Sequence, residues 1–388
     1  MEIKKPIYMD YQATTPVATE VLEKMLPYFT DNFGNPHSSD HIYGWKSAEA
    51  VELAAVQVSD MIGVDKDEII FTSGASESNN LALFGLARSE LLKGGKRRRI
   101  IISAIEHKCV IDSARKLQSE YDFQIDVVGV DEDGLVRISE LESLLDNDVL
   151  LVSIMAVNNE VGTIQNVNKI SGLLKSSNIL FHSDCAQAPL AMDMANFGTE
   201  TDLLSLSAHK IYGPKGIGAL YIRRDLKNQI EPLINGGGQQ YGLRSGTVPT
   251  PLCVGMGYAC GLVNDGEFEQ KKIALQEKRD YFIERLFNLH SARVSVNGAV
   301  GEQRHPGNVN VRFEGVNAHD LLNRLQPILA ASTGSACNSG IIESSYVLKA
   351  LGLSPEEAES SVRFSLGFET SRNDIDYVIA SLKQKIHI

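Results

Sequence analysis

The sequence predicts an α/β protein, with a large domain on a mostly parallel seven-stranded sheet and a smaller α+β domain after it. Three observations predict it. Between about residues 68 and 224, short apolar β-rich runs alternate with helical patterns, which implies parallel strands covered on both faces. The chain's 388 residues are enough for more than one domain. After Gly246 the alternation gives way to long helical patterns and scattered short strands.

Each element has its own signal. Glu68–Thr72 reads as a strand and Glu77–Leu92 as an amphipathic helix. Ile100–Ile105 is a strand, followed by a helix near Val110–Glu120. Strand Ile125–Val130, helix Ser139–Leu145 and strand Val149–Val157 continue the series. Strands Ile179–Asp184, Leu203–Ser207 and Ile217–Ile222 complete it. Further on, Val248–Leu262 is apolar enough for a core helix, and Gln270–His290 is charged and amphipathic. Short strands are expected at Val294–Val296, Asn308–Phe313 and Ser361–Leu366, with a closing helix over Asp374–Lys385. The expected division is 15–260 for the large domain, with 1–14 and 261–388 forming the small one.

Hydrophobic content of 43% and charged content of 22% are ordinary for a soluble protein. A net charge of -12 argues against direct nucleic-acid binding and against an anionic membrane surface. The basic run Lys96-Arg97-Arg98-Arg99 reads as a solvated loop. No apolar run approaches the ~18 residues of a membrane span, and the N-terminus lacks a signal-peptide core. The five cysteines (109, 185, 253, 260 and 337) form no C-x-x-C pair. Neither a metal site nor a disulfide framework is expected, and a cytoplasmic setting with reduced thiols is.

The chemistry gathers at strand ends. Leu203–Ser207 runs into Ala208-His209-Lys210 and a Gly/Pro turn, which sets one lysine at a rigid strand end. A desolvated amine there can attack an aldehyde. Strand Ile179–Asp184 ends in an acid, and a lysine with a strand-end aspartate is the pair that pyridoxal phosphate requires. Thr72-Ser73-Gly74-Ala75-Ser76-Glu77 follows a strand and opens a helix, so its small residues suit a phosphate. Ser76 fits a plain helix cap as well, with Asn79 in the first turn. His107, in Glu106-His107-Lys108, can stack on a flat cofactor and move protons. Asn159 ends the next strand, and Gln187 lies three residues past Asp184.

Taken together these motifs resemble the cysteine desulfurases of the NifS/IscS type, in the class V aminotransferase group of fold-type-I pyridoxal phosphate enzymes. The resemblance runs from Met9-Asp10-Tyr11-Gln12-Ala13-Thr14-Thr15-Pro16 to Arg363-Phe364-Ser365-Leu366-Gly367, through Gly236-Gly237-Gly238-Gln239 and Arg244-Ser245-Gly246-Thr247. It implies that Lys210 bonds the cofactor covalently, that Asp184 pairs with the pyridine nitrogen and that Gln187 bonds the ring hydroxyl. It implies phosphate contacts from Ala75, Ser76, Ser207 and His209, with Thr247 supplied by the other subunit of a homodimer. Asn159 and Arg363 would orient the substrate carboxylate, and His107 would stack on the ring. Cys337, in the Ser/Gly/Ala-rich stretch Ser332–Gly340, is the discriminating residue, because a transaminase has no use for it. The implied activity converts L-cysteine to L-alanine, leaves a persulfide on Cys337 and passes the sulfur to an acceptor protein. The sequence departs from the family pattern at Phe368 and at Gln240-Tyr241.

Overall fold

The computed structural model describes residues 5–177, 179–290, 294–333 and 344–386, so Cys337 lies outside the described residues. In chain order the strands are β1 (Ile7–Tyr8), β2 (Ile69–Thr72), β3 (Arg99–Ser103), β4 (Gln124–Val128), β5 (Val149–Ser153) and β6 (Leu180–Asp184). They continue as β7 (Leu203–Ser207), β8 (Gly218–Ile222), β9 (Val294–Val296), β10 (Asn308–Phe313), β11 (Leu329–Ala330) and β12 (Ser361–Ser365).

Strands β2 to β8 form one seven-stranded sheet in the order β2-β8-β7-β6-β5-β3-β4. Its pairings are parallel except at β8, which runs antiparallel to β2 and β7. Every residue of β5, β6, β7 and β8 is buried, as their near-continuous apolar sequences require. Side chains alternate between two cores. Ile101, Val152, Phe181 and Leu204 join one, while Ile100, Ile102, Leu151 and Leu203 join the other. Burying each such side chain contributes about 1.5–3 kcal/mol, so the sheet forms a rigid platform.

Helices Ala75–Leu92 and Lys108–Tyr121 cover one face through Leu81, Leu83, Val110 and Leu117. Helices Ile42–Ile62 and Thr250–Val263 pack within the other core through Ala54, Val58, Cys253 and Met256. They approach so closely that a Cβ on Gly257 would meet the Ala54 Cα at 2.6 Å. The helix over Ile42–Ile62 is absent from the expected alternation. Over Gly44–Ala54 its buried face is small or polar (Gly44, Ser47, Ala50, Ala54), whereas Trp45 and Leu53 are exposed. Larger buried apolar side chains (Val58, Met61, Ile62) come only in its last turns, so most of the helix lacks the usual hydrophobic signal.

A second, three-stranded antiparallel sheet has the order β12-β10-β9, and β1 pairs in parallel with β11. Helices Gly266–His290 and Arg372–Lys385 share its core, where Phe282 meets Phe364 edge-on with ring centroids 5.3 Å apart. Most expected elements differ from the observed ones by one or two residues at their ends. The largest differences are the helix expected from Gln270, which starts at Gly266, and the strand expected over Val149–Val157, which ends at Ser153. Beyond Ser153 the chain leaves the ladder, and Val157 pairs with Ile164 in an isolated antiparallel bridge. That bend delivers Asn158 and Asn159 to the C-terminal edge of the sheet.

Candidate active site

At the C-terminal ends of the parallel strands lies a cavity of about 660 Å³. Crevices at this edge are where open α/β sheets bind ligands. Ala75, Ser76, His107, Asn159, Asp184, Gln187, Ser207, His209, Lys210 and Arg363 all line it, so the fold brings ten of the expected site residues together. Thr247 is exposed in the loop before helix Thr250–Val263 and does not line this cavity. Cys337 lies outside the described residues.

Asp184 closes β6, and its neighbours fix its carboxylate. Oδ1 accepts the amide N–H of Ala186 at 3.0 Å, and Oδ2 accepts Nδ2–H of Asn79 at 2.6 Å. Asn79 is fully buried near the start of helix Ala75–Leu92. Lys210 follows β7 on a single helical turn, Ala208–Lys210, and its Nζ donates to the carbonyls of Gln12 at 2.5 Å and Ala13 at 2.9 Å. Burial, together with the nearby Arg363 charge, pushes this amine down to about 8 against the opposing pull of Asp184 and Asp10. A neutral, nucleophilic amine is therefore within reach at physiological pH.

Helix Ala75–Leu92 begins without a side-chain cap, because its N-cap is Gly74. Ser76 is thus inside the first turn, and the plain-cap reading of Ser76 does not hold. Gly74 has φ 147°, a region that favours glycine, and a Cβ built there would meet only Ser207 Oγ, at 4.0 Å. The first-turn amides consequently face an open cradle, with the helix dipole favouring an anion. His209 stands beside it with Nδ1 at 3.1 Å from Thr14 Oγ1. Burial, followed by the charges of Lys210 and Lys215, holds its imidazole down to about 4, so it is neutral.

His107 caps helix Lys108–Tyr121, its Nδ1 accepting the amide N–H of Cys109 at 3.2 Å. With Nδ1 an acceptor, the neutral ring carries its hydrogen on Nε2. The thiol of Cys109 lies 3.0 Å from Nδ1, and burial, with Asp184 adding to it, pushes that thiol up to about 12. It is therefore a protonated neighbour, not a nucleophile. Glu106, just before His107, is fully buried, and desolvation raises its carboxyl to about 8.

Arg363 comes from β12. Its Nη1 donates to the carbonyl of Asn159 at 2.9 Å and its Nη2 to Asp10 Oδ1 at 2.7 Å, while its buried Nε has no partner among the described residues. Asn158 builds the turn, accepting from the amides of Glu160 at 2.8 Å and Val161 at 2.9 Å, which leaves Asn159 at the cavity. Gln187 Nε2 donates to the Gln12 carbonyl at 3.0 Å.

Pyridoxal phosphate fits this donor set. A strand-end acid, a lysine with a depressed pKa, an uncapped helix start and the guanidinium-bearing Arg363 converge on one cavity. Sequence reasoning misses Asp10, Gln12 and Cys109 as cavity residues. Asp10 and Gln12 do stand in the first stretch that carries the family resemblance, and that is the available signal.

Comparison with known proteins agrees with this geometry. The family model described as aminotransferase class-V matches residues 7–378. The chain is 46% identical over 386 residues to the mitochondrial cysteine desulfurase of Arthroderma benhamiae, covering 99% of this chain and 75% of that protein. A solved structure titled NifS-like protein superposes with a TM-score of 0.89 at 34% identity, covering 98% of both chains. Another, titled SspA in complex with cysteine, gives a TM-score of 0.80 at 38% identity, covering 94% of this chain and 99% of that one.

Proposed function

Because this chain belongs to the aminotransferase class-V family, we propose that it is a pyridoxal 5′-phosphate-dependent L-cysteine desulfurase. It converts L-cysteine to L-alanine and carries the sulfur as a persulfide on Cys337. The observation that carries this reading is the meeting of Lys210, Asp184 and Arg363 around one cavity.

Lys210 would hold the cofactor covalently, Asp184 its pyridine nitrogen and Gln187 its ring hydroxyl. Ala75, Ser76, Ser207 and His209 would hold its phosphate, and His107 would stack on its ring. When bound, the cofactor supplies an electron sink for the pair released as the substrate Cα–H bond ionises. Arg363 and Asn159 orient the substrate carboxylate, a planar fork fixing direction as well as charge. Lys210 Nζ takes the Cα proton, which its depressed pKa allows. His107 offers the proton on Nε2. The Cys337 thiolate attacks the substrate Sγ, and the S–S bond forms as the Cβ–S bond breaks. The three-carbon fragment keeps that electron pair, is protonated and leaves as L-alanine.

The enzyme is a homodimer in which Thr247 completes the partner's phosphate site. The exposure of Thr247 away from its own cavity supports this, as do the exposed Phe29, Phe33, Tyr43 and Trp45. Residues 15–260 form the cofactor domain, and 1–14 with 261–388 the small domain bearing Cys337. The pairing of β1 with β11 supports that grouping. The sulfur goes to an acceptor protein, in iron–sulfur cluster assembly, tRNA thiolation or sulfur modification of DNA, in the cytoplasm. No described helix is long and apolar enough to cross a membrane.

Mass spectrometry after brief exposure to L-cysteine tests the reading. It should find one added sulfur on the Cys337 peptide and matching L-alanine, whereas Cys337→Ser should bind L-cysteine without releasing L-alanine. Added sulfur on Cys109 or Cys185 instead would reassign the nucleophile.

A further inference from the structure

We propose that Asp10 is a positioning residue for substrate recognition, holding the Arg363 guanidinium so that its Nε edge meets the carboxylate of the incoming amino acid. The inference rests on the reading above, in which Arg363 takes that carboxylate.

The two anchors of the guanidinium lie on different elements. Nη1 is held by the Asn159 carbonyl at 2.9 Å and Nη2 by Asp10 Oδ1 at 2.7 Å. Two anchored corners fix the plane of a rigid group and leave one edge. That edge contains Nε, which is buried with no partner among the described residues, and a buried unpaired donor in a native site calls for an acceptor. A carboxylate, which only accepts, suits it. Nη2 has a second hydrogen, so the substrate can pair with Nε and Nη2 without displacing Asp10.

Asp10 is itself locked to the strand that carries Arg363. It forms a bridge with Ser365, two residues beyond Arg363 on β12. Ser365 donates its amide to the Met9 carbonyl at 2.7 Å and accepts the Tyr11 amide at 3.2 Å. Its Oγ accepts the Gln12 amide at 2.9 Å, and the Tyr8 hydroxyl donates to the Asp10 carbonyl at 3.0 Å. Carboxylate and guanidinium therefore move as one unit, with Asp10 lining the same cavity. Without the carboxylate, Nη2 would lose its fixed corner and the guanidinium could turn about the Asn159 contact.

The charge of Asp10 works against an incoming carboxylate, so the clean comparison is between two neutral variants. Asp10→Asn keeps an oxygen that can accept from Nη2, and Asp10→Ala does not. Calorimetry on the holoenzymes should show L-alanine binding about tenfold more tightly to Asp10→Asn than to Asp10→Ala. L-alaninamide, which has no carboxylate, should not distinguish them. In turnover the alanine variant should show the higher KM for L-cysteine, with kcat within about twofold of the asparagine variant. If Asp10→Ala is insoluble, Asp10→Ser replaces it, since its hydroxyl is too short to reach and the expectation is the same. Equal L-alanine affinities, or a parallel loss for the amide, would overturn the proposal. Wild-type holoenzyme that releases no L-alanine from L-cysteine would instead sink the desulfurase reading. Normal wild-type turnover without the affinity ratio rejects Asp10 alone.

Discussion

The large sheet carries a cavity at each edge, about 660 Å³ where β6 and β7 finish and about 600 Å³ where they begin. They are nearly equal in size and both are lined by charged groups. At the second, Lys175 pairs with Glu200 at 2.9 Å, and Arg223 pairs with Asp202 and, at 2.6 Å, with Asp225. Asp202 also accepts the Phe181 amide at 2.7 Å. At the first, Lys210 meets backbone carbonyls rather than a carboxylate, Arg363 Nε has no partner among the described residues, and a helix opens without a side-chain cap. Volume does not separate the two cavities. Unsatisfied donors do, because buried groups left without partners persist where a ligand completes them.

The strongest way to break this contrast is Lys210→Ala, which should lower L-alanine release by more than about a thousandfold. Retained release would remove Lys210 from the chemistry. Next, Asp184→Asn should lower turnover per bound cofactor by about a hundredfold while occupancy falls far less, because the phosphate grip lies elsewhere. Parallel measurement of absorbance and L-alanine decides it, and unchanged turnover per bound cofactor would make Asp184 purely structural.

A third test reads the Lys210 amine directly. Cofactor uptake by the apoenzyme requires the neutral amine, so its rate should rise with pH and level off above about 8, far below an ordinary lysine. Arg363→Ala should move that midpoint upward, since the arginine charge is the second cause of the depression after burial. A midpoint near that of a free lysine would contradict the buried site.

Glu106→Gln probes the buried carboxyl that precedes His107. The folded carboxyl is held up to about 8 from an ordinary value of 4.5, so wild type is favoured by this group below pH 4.5 and loses that contribution as pH rises toward 8. The glutamine variant lacks this loss. Its melting temperature should therefore gain on wild type steadily between those limits and then hold level, and a pH-independent difference would show that Glu106 is already ionised in the fold.

The smallest effect belongs to the other cavity. Lys175 is exposed, and Lys175→Ala should change stability by less than ~1 kcal/mol and turnover by less than about twofold. A large loss of turnover there would erase the distinction between the two edges.

Much of the site is legible in the sequence. Lys210, Asp184, His107 and Arg363 stand in local motifs at strand ends, and strand ends follow from apolar periodicity, a property of neighbouring residues. The helix over Ile42–Ile62 is not legible, because over Gly44–Ala54 its buried face is small or polar while Tyr43, Trp45 and Leu53 face outward. Asn79 reads only as a first-turn residue, since nothing nearby in sequence reveals that its amide reaches Asp184, 105 positions away.

By itself, then, the sequence determined the seven-strand alternation, a strand-end lysine with a strand-end acid, and the class of chemistry. Tertiary structure alone decided which donors stay unpaired and which carboxylate steadies the arginine. The physical reason is range. Periodicity and motifs act over a few residues, whereas Asp10 meets Arg363 across 353 positions, and only after the N-terminal segment has been tied to β12.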